Sequence, residues 1–288
     1  MIGVTGATGQ LGRRVVTALL KTVPPCGIAA LARNVEKAGD LASLGVTVRQ
    51  ADYDRPETLP TALAGVETLL LISGNEIGRR VSQHEAVIRA AERQKVRRLA
   101  YTSILHADTT LMAPAPDHRE TEAALLSSGV PYVLLRHGWY TENFLARIPG
   151  ALQTGKLVGS AGNGRIASAM RDDFAAAAAA VLTSRGPVQR IYELAGDTSW
   201  SLTDLAAEIS HHAGRKIVYQ DLPEAEAMAA MISAGMSERG AKLTSRSDPG
   251  IAAGGLFDEG KQISRLTGRP TLPMEEAVAQ WFALNAAS

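Results

Sequence analysis

Gly6-Ala7-Thr8-Gly9-Gln10-Leu11-Gly12 is the segment with the most specific chemical reading. Glycines at this spacing, between a short apolar run and a helical pattern, form a turn that receives a pyrophosphate. Gly6 permits the tight turn, Gly9 lets the backbone approach a phosphate, and Gly12 lets the helix pack near the strand. The N–H groups at the helix start then face the anion. An ordinary glycine-rich turn is the competing reading. Arg33 ends the second apolar run, where a carboxylate would hold a ribose 2′-hydroxyl and an arginine pairs with a 2′-phosphate. The pattern therefore expects NADPH rather than NADH, with a solvated surface arginine as the alternative. After the third run, Asp52 could accept from the adenine amino group and Tyr53 could flank the ring. Alternatively, Asp52 caps the following loop.

Other chemistry is sparsely supplied. Cys26 is the only cysteine, so no internal disulfide forms, and with no histidine close in sequence it reads as a small surface residue. His211 and His212 are adjacent on a helix and do not share a face. No His, Cys or carboxylate cluster has metal-ligand spacing, so no metal is expected. Tyrosine acid–base chemistry of the short-chain dehydrogenase kind requires a lysine four residues later, which lowers the phenol pKa. Tyr53, Tyr101, Tyr132, Tyr140, Tyr192 and Tyr219 are followed at that spacing by Glu57, Leu105, Arg136, Phe144, Gly196 and Pro223. Alcohol oxidation by that route is not expected.

The elements that position these residues alternate. Strands are expected over 2–5, 28–31, 46–49, 68–72, 99–102 and 132–136. Helices are expected over 11–21, 35–44, 59–64, 83–94 and 120–128, the second closed by Gly45. Such alternation gives an α/β, Rossmann-type doubly wound parallel sheet with ligands at the carboxyl ends of its strands. That rule singles out Arg33, Asp52 and Tyr53, then Ser73, Gly74 and Asn75, then Thr102 and Ser103, and finally His137, Gly138, Trp139 and Tyr140 to Asn143. Residues 1–150 form the dinucleotide-binding portion. Residues 151–288 supply remaining sheet elements and a small C-terminal α/β cap, interleaved with the first portion. There, Phe174 to Leu182 reads as a buried helix and 191–194 as a strand. Ser201 and Asp204 form a capping box for a helix over 202–213 that stops at Gly214. A strand over 216–220 and helices over 224–234 and 275–284 follow. Residues 235–262, rich in Gly, Ser and charge, are expected to be loop or weakly ordered.

These stretches resemble the NmrA-like branch of the atypical short-chain dehydrogenases/reductases. The likeness is carried by Val4-Thr5-Gly6-Ala7-Thr8-Gly9-Gln10-Leu11-Gly12, Leu31-Ala32-Arg33-Asn34, Gln50-Ala51-Asp52-Tyr53, Leu70-Leu71-Ile72-Ser73 and Ala100-Tyr101-Thr102-Ser103. It continues through Leu135-Arg136-His137-Gly138-Trp139-Tyr140-Thr141-Glu142-Asn143, Tyr192-Glu193-Leu194-Ala195-Gly196-Asp197 and Gly254-Gly255-Leu256-Phe257-Asp258. Within that branch it is similar to the bacterial NADPH:quinone reductases of the second type and, more distantly, to triphenylmethane reductases. The resemblance runs nearly end to end. It implies hydride transfer from NADPH to a quinone or similar planar acceptor without flavin. It also implies that the segment His137 to Asn143 lies against the nicotinamide and the acceptor. Where the family pattern has Asn, this chain has His137.

A quinone accepts hydride readily, so holding it face to face with the nicotinamide can supply much of the barrier lowering. His118 is the candidate proton donor or orienting group, since the resemblance places a histidine there too, with a surface or capping histidine as the alternative. Trp139 and Tyr140 could wall a planar acceptor, or simply pack the core. Asn143 could hydrogen-bond the cofactor or the quinone oxygen, or cap a turn. Arg171 precedes a helix whose Asp172 and Asp173 complement its dipole, and it could reach the cofactor pocket. A non-catalytic NADP(H)-binding redox sensor acting through a protein partner remains the other functional class. The formal net charge of +1, without a basic run, argues against nucleic acid as a partner. No basic leader precedes the first strand and no apolar stretch approaches the roughly 20 residues of a membrane span, so a cytoplasmic protein is expected. A homodimer is left open.

Overall fold

The computed structural model describes residues 1–285. Its strands are β1 (Ile2–Val4), β2 (Ile28–Ala32), β3 (Thr47–Gln50), β4 (Thr68–Leu71), β5 (Arg98–Ile104), β6 (Tyr132–His137), β7 (Lys156–Gly159), β8 (Ile191–Leu194) and β9 (Val218–Asp221). Seven form one parallel sheet in the order β3-β2-β1-β4-β5-β6-β8, while β7 and β9 pair separately in parallel. The order turns back between β1 and β4, and a crevice opens there at the carboxyl ends. β2 is buried along its whole length, as a strand covered on both faces requires.

One face of the sheet packs on the helices Gln10–Leu19 and Arg171–Thr183, through Val15, Val16, Leu19, Phe174 and Val181. Four of the six alanines between Phe174 and Val181 are buried, and their small side chains let these two helices approach closely. The other face packs on Arg80–Arg93 and Ala115–Ser127, through Val87, Ala91, Leu99, Tyr101 and Leu125. A separate apolar cluster, including Phe144, Ile148, Trp200, Leu205, Ile209 and Val278, holds the cap.

Several expectations are corrected. Within residues 235–262, Glu238–Ala252 is a helix rather than loop, with the Ser237 hydroxyl accepting from the Gly240 N–H, while 253–261 carry no regular structure, as expected. Its buried positions include Ala241, Ser245, Asp248 and Ile251. Two polar residues on that stripe hide the helical period that apolar residues would have displayed. Asp248 is fully buried because Arg147, itself buried, pairs with it at 2.7 Å. The helix expected from Glu120 begins at Ala115, and that expected from Gln83 begins at Arg80. The span 35–44 divides into a 3₁₀ turn, Val35–Ala38, and a short α-helix, Gly39–Ser43. The short helices Thr141–Leu145, Ile148–Thr154 and Gln262–Thr267, and strand β7, were not anticipated. The Ser201–Asp204 capping box and the left-handed Gly214 stop are present.

Candidate active site

The turn after β1 is a tight glycine turn that runs straight into a helix. Gly6 has φ +57°, and the Gly9 N–H donates to the Gly6 carbonyl at 2.9 Å. Gly9 is the extended residue ahead of the helix Gln10–Leu19, and no side chain caps that end. The first N–H groups of the helix lack intrahelical partners and are left for an anion. A Cβ on Gly12 would lie 2.2 Å from the Gly6 carbonyl oxygen, so glycine alone allows the helix this close to the turn.

A cavity of about 280 Å³ adjoins this turn, lined among others by Gly6, Thr8, Gly9, Arg33, Asp52 and Tyr53. Arg33 is exposed at its rim, 3.5 Å from a Glu76 carboxylate oxygen. The Asp52 carboxylate accepts from the Asp54 N–H at 3.1 Å, which is the loop-capping role. Burial raises the Tyr53 phenol well above its ordinary pKa, so it stays protonated. A second cavity, of about 720 Å³, includes Gln10, Ser73, His118, His137, Gly138, Trp139, Tyr140, Asn143 and Arg171 in its lining. Both cavities include Gly74 and Asn75. Of the residues singled out from sequence, Ala7 and Leu11 line neither; both are buried, beneath the turn.

The segment between the cavities is pinned by three consecutive N–H groups. Ile72 donates to the Thr5 hydroxyl at 2.9 Å, Ser73 to the Thr102 hydroxyl at 2.8 Å, and Gly74 to His84 Nε2 at 2.9 Å. Thr5 and Thr102 end apolar runs, the only sequence signal they give. His84, on the helix Arg80–Arg93, was not foreseen, because its role depends on a helix face meeting a loop.

In the larger chamber, His137 is 5% exposed and neither of its ring nitrogens has a hydrogen-bond partner. Its ring stacks on Phe174 with centroids 4.5 Å apart. Burial lowers its pKa to about 3, so it is neutral. Tyr140 stands edge-on to Phe174, with the Arg171 guanidinium 4.3 Å from its ring centroid. Burial raises the Tyr140 phenol to about 12 despite Arg171, so it is not an activated base. Arg171 also donates to Asn143 Oδ1 at 3.0 Å, which leaves the Asn143 amide hydrogens as available donors.

His118 lies within the first turns of Ala115–Ser127 rather than ahead of that helix, and it is buried. Its Nδ1 is 2.8 Å from the Tyr101 hydroxyl. Desolvation first, then Arg80, hold its pKa well below the usual histidine value. Arg80, also buried, pairs with Asp117 at 2.8 Å and donates to the Pro114 carbonyl at 2.7 Å, fixing the start of this helix. Among the described residues, no group of His, Cys, Asp and Glu could hold a metal ion.

Uncapped helix amides, a turn with no room for a Cβ at Gly12, and an orphaned imidazole in the adjoining chamber fit a dinucleotide. Residues 6–185 match the NAD(P)H-binding family. The chain belongs to that family. Among its relatives is Quinone oxidoreductase 2 of Escherichia coli, 50% identical over 285 residues, spanning 99% of this chain and 100% of the relative. The crystal structure of an Escherichia coli NADPH-dependent quinone oxidoreductase complexed with NADPH superposes with a TM-score of 0.94. The two are 51% identical, over 98% of this chain and 100% of that one. A Citrobacter triphenylmethane reductase complexed with NADP(H) gives a TM-score of 0.91 at 36% identity, over 98% and 100%. This member of the NAD(P)H-binding family thus has the seven-stranded Rossmann-like sheet that the strand alternation predicted.

Proposed function

We propose that this protein is an NADPH-dependent reductase that delivers a hydride to a quinone or similar planar acceptor without flavin. The observation that carries this reading is the meeting of the two cavities at Gly74 and Asn75. One offers a phosphate-binding turn and Arg33; the other offers aromatic and histidine walls. NADPH, when bound, supplies the hydride. The residues that would hold it are Gly6 and Thr8 to Gln10 at the pyrophosphate, with Arg33 at the 2′-phosphate and Asp52 and Tyr53 at the adenine. Ser73 to Asn75, His137 to Trp139 and Arg171 would lie along its reactive half. Residues 1–150 supply the cofactor turn and most of the acceptor wall, while the second portion, 151–288, adds Arg171, the helix Glu238–Ala252 and β8.

Reduction of a quinone to a hydroquinone takes one hydride and one proton. The chain's task is to orient the acceptor, shield it, and stabilise the oxygen that gains charge. Trp139 and Tyr140 supply a flat apolar wall, Asn143 an amide donor and His118 an imidazole. Proximity and orientation do the larger share of the work. The relative's quinone reductase activity and the absence of the Tyr-Lys pair support a quinone over an alcohol. No helix among the described residues is long and apolar enough to cross a membrane. Together with one unpaired, exposed cysteine, this supports a cytoplasmic setting.

The test mixes purified protein with NADPH and a panel of quinones and follows loss of the reduced nicotinamide absorbance. Turnover is expected, and the purified protein should show no flavin band. Tight NADP binding with no turnover of any acceptor would reassign the protein as a sensor.

A further inference from the structure

We infer that Tyr101 is a positioning residue: its hydroxyl proton occupies His118 Nδ1, so that a neutral His118 presents its Nε2–H to the acceptor oxygen. The inference rests on the reductase reading above and adds to it the tautomer, and the residue that sets it.

The proton positions follow from a chain of hydrogen bonds with few choices. The Gly74 backbone N–H can only donate, so His84 Nε2 is an acceptor and His84 carries its proton on Nδ1. That N–H goes to the Thr121 hydroxyl oxygen at 3.0 Å, and the Thr121 hydroxyl donates to the Asp117 carbonyl at 2.9 Å. Tyr101 is fully buried beside them, with His118 Nδ1 2.8 Å from its hydroxyl. Of the two groups, a phenol O–H is the stronger donor and a neutral imidazole nitrogen the stronger acceptor, so Tyr101 donates to Nδ1 in this bond. A neutral imidazole then carries its one hydrogen on Nε2, and His118 lines the larger cavity.

The surroundings keep His118 neutral. The charged and titratable groups around it are the Arg80–Asp117 ion pair, His84, His137 and, beyond Tyr101, Glu122. Burial opposes a charge on the ring, Arg80 repels one, and the positive end of its own helix adds to the repulsion. Burial likewise keeps Tyr101 a phenol. His118 therefore acts as a hydrogen-bond donor to the oxygen that becomes negative as hydride arrives, and it keeps its proton. The proton that completes the hydroquinone comes from water. Catalysis through this residue is then independent of pH across the range where an ordinary histidine titrates.

Long-range ¹H–¹⁵N spectra of protein labelled in its 6 histidines read the tautomer directly. His118 is assigned by the resonances lost in His118→Gln. The Nε2–H pattern is expected for His118 from mildly acidic to mildly alkaline pH, with or without NADP. Tyr101→Phe should convert it to a mixture of tautomers and lower kcat about fivefold, the weight of one neutral hydrogen bond, with KM for NADPH unchanged. His118→Ala should lower kcat by about a hundredfold, as for loss of an oxyanion donor. His118→Gln, whose amide N–H reaches the position of Nε2–H, should restore much of it. An Nδ1–H or imidazolium pattern in the wild-type protein at neutral pH would overturn the inference, as would unchanged kcat in both Tyr101→Phe and His118→Ala. The wild-type spectrum decides the tautomer even if a variant folds poorly. Lack of turnover with every quinone would instead remove the reductase reading, and it is scored apart from the spectrum.

Discussion

Arg33 is exposed and its nearest charged partner is Glu76, so it is poised by electrostatics rather than locked by packing. Arg33→Asp places a carboxylate where a 2′-phosphate would lie and would hydrogen-bond a 2′-hydroxyl instead. Affinity for NADPH should fall at least tenfold, about 1.4 kcal/mol, while NADH binding changes little. Equal losses for both cofactors in a titration would show that Arg33 does not read the phosphate. The buried histidines make a second prediction at this scale. His84 and His137 are held near pKa 3 by burial, against 6.5 for an ordinary histidine. Between those values the unfolded chain binds more protons than the folded one, so stability falls as pH drops. The contribution is complete above pH 6.5 and is lost progressively down to about 3. Melting temperature should fall steadily from neutral pH into this window, and His137→Asn should flatten the slope. An unaltered slope would mean that His137 is not buried as a neutral group.

The helix Gln10–Leu19 shows how an element is placed by one residue. Alanine is a better helix former than glycine by about 1 kcal/mol, which on propensity alone favours Gly12→Ala. The added methyl would meet the Gly6 carbonyl oxygen at 2.2 Å, and neither partner is a flexible side chain. Overpacking of this kind costs about 1–3 kcal/mol and outweighs the propensity gain. The helix would move off the turn that aims its N–H groups. Gly12→Ala should lower the melting temperature and weaken NADPH binding at least tenfold. Binding at the wild-type level by calorimetry would contradict this account of the cradle.

At the scale of the molecule, the helix Glu238–Ala252 closes the chamber, contributing Gly240, Leu243 and Thr244 to its lining. It is joined to the turn between the helices Thr141–Leu145 and Ile148–Thr154 by the buried Arg147–Asp248 pair, and Asp248 also accepts from the Ser160 N–H at 3.0 Å. Removing one partner strands a buried charge. Asp248→Ala should cost about 3–5 kcal/mol in chemical unfolding. The loss should fall on the acceptor side: KM for the quinone rises, while NADPH affinity, set at β1 and β2, holds. If KM for the quinone stays constant in the surviving folded protein, the helix does not shape the acceptor site.

The sheet and the cofactor turn were legible in the sequence because both depend on short-range rules. Buried parallel strands show as unbroken apolar runs, and a pyrophosphate turn shows as three glycines within seven residues. The placement of Arg33 beside that turn was legible for the same reason, being fixed by its distance from the glycines. The acceptor chamber was only partly legible. Its aromatic wall follows β6 in sequence, but the groups that orient it come from elsewhere in the chain. His84 meets Gly74 from a helix face, Tyr101 meets His118 across a strand and a helix, and Arg147 meets Asp248 about a hundred residues on. The sequence states polarity and local period. Burial of a polar group beside its partner is decided only when distant elements pack, and there a serine and an aspartate on a buried stripe made a helix read as a loop.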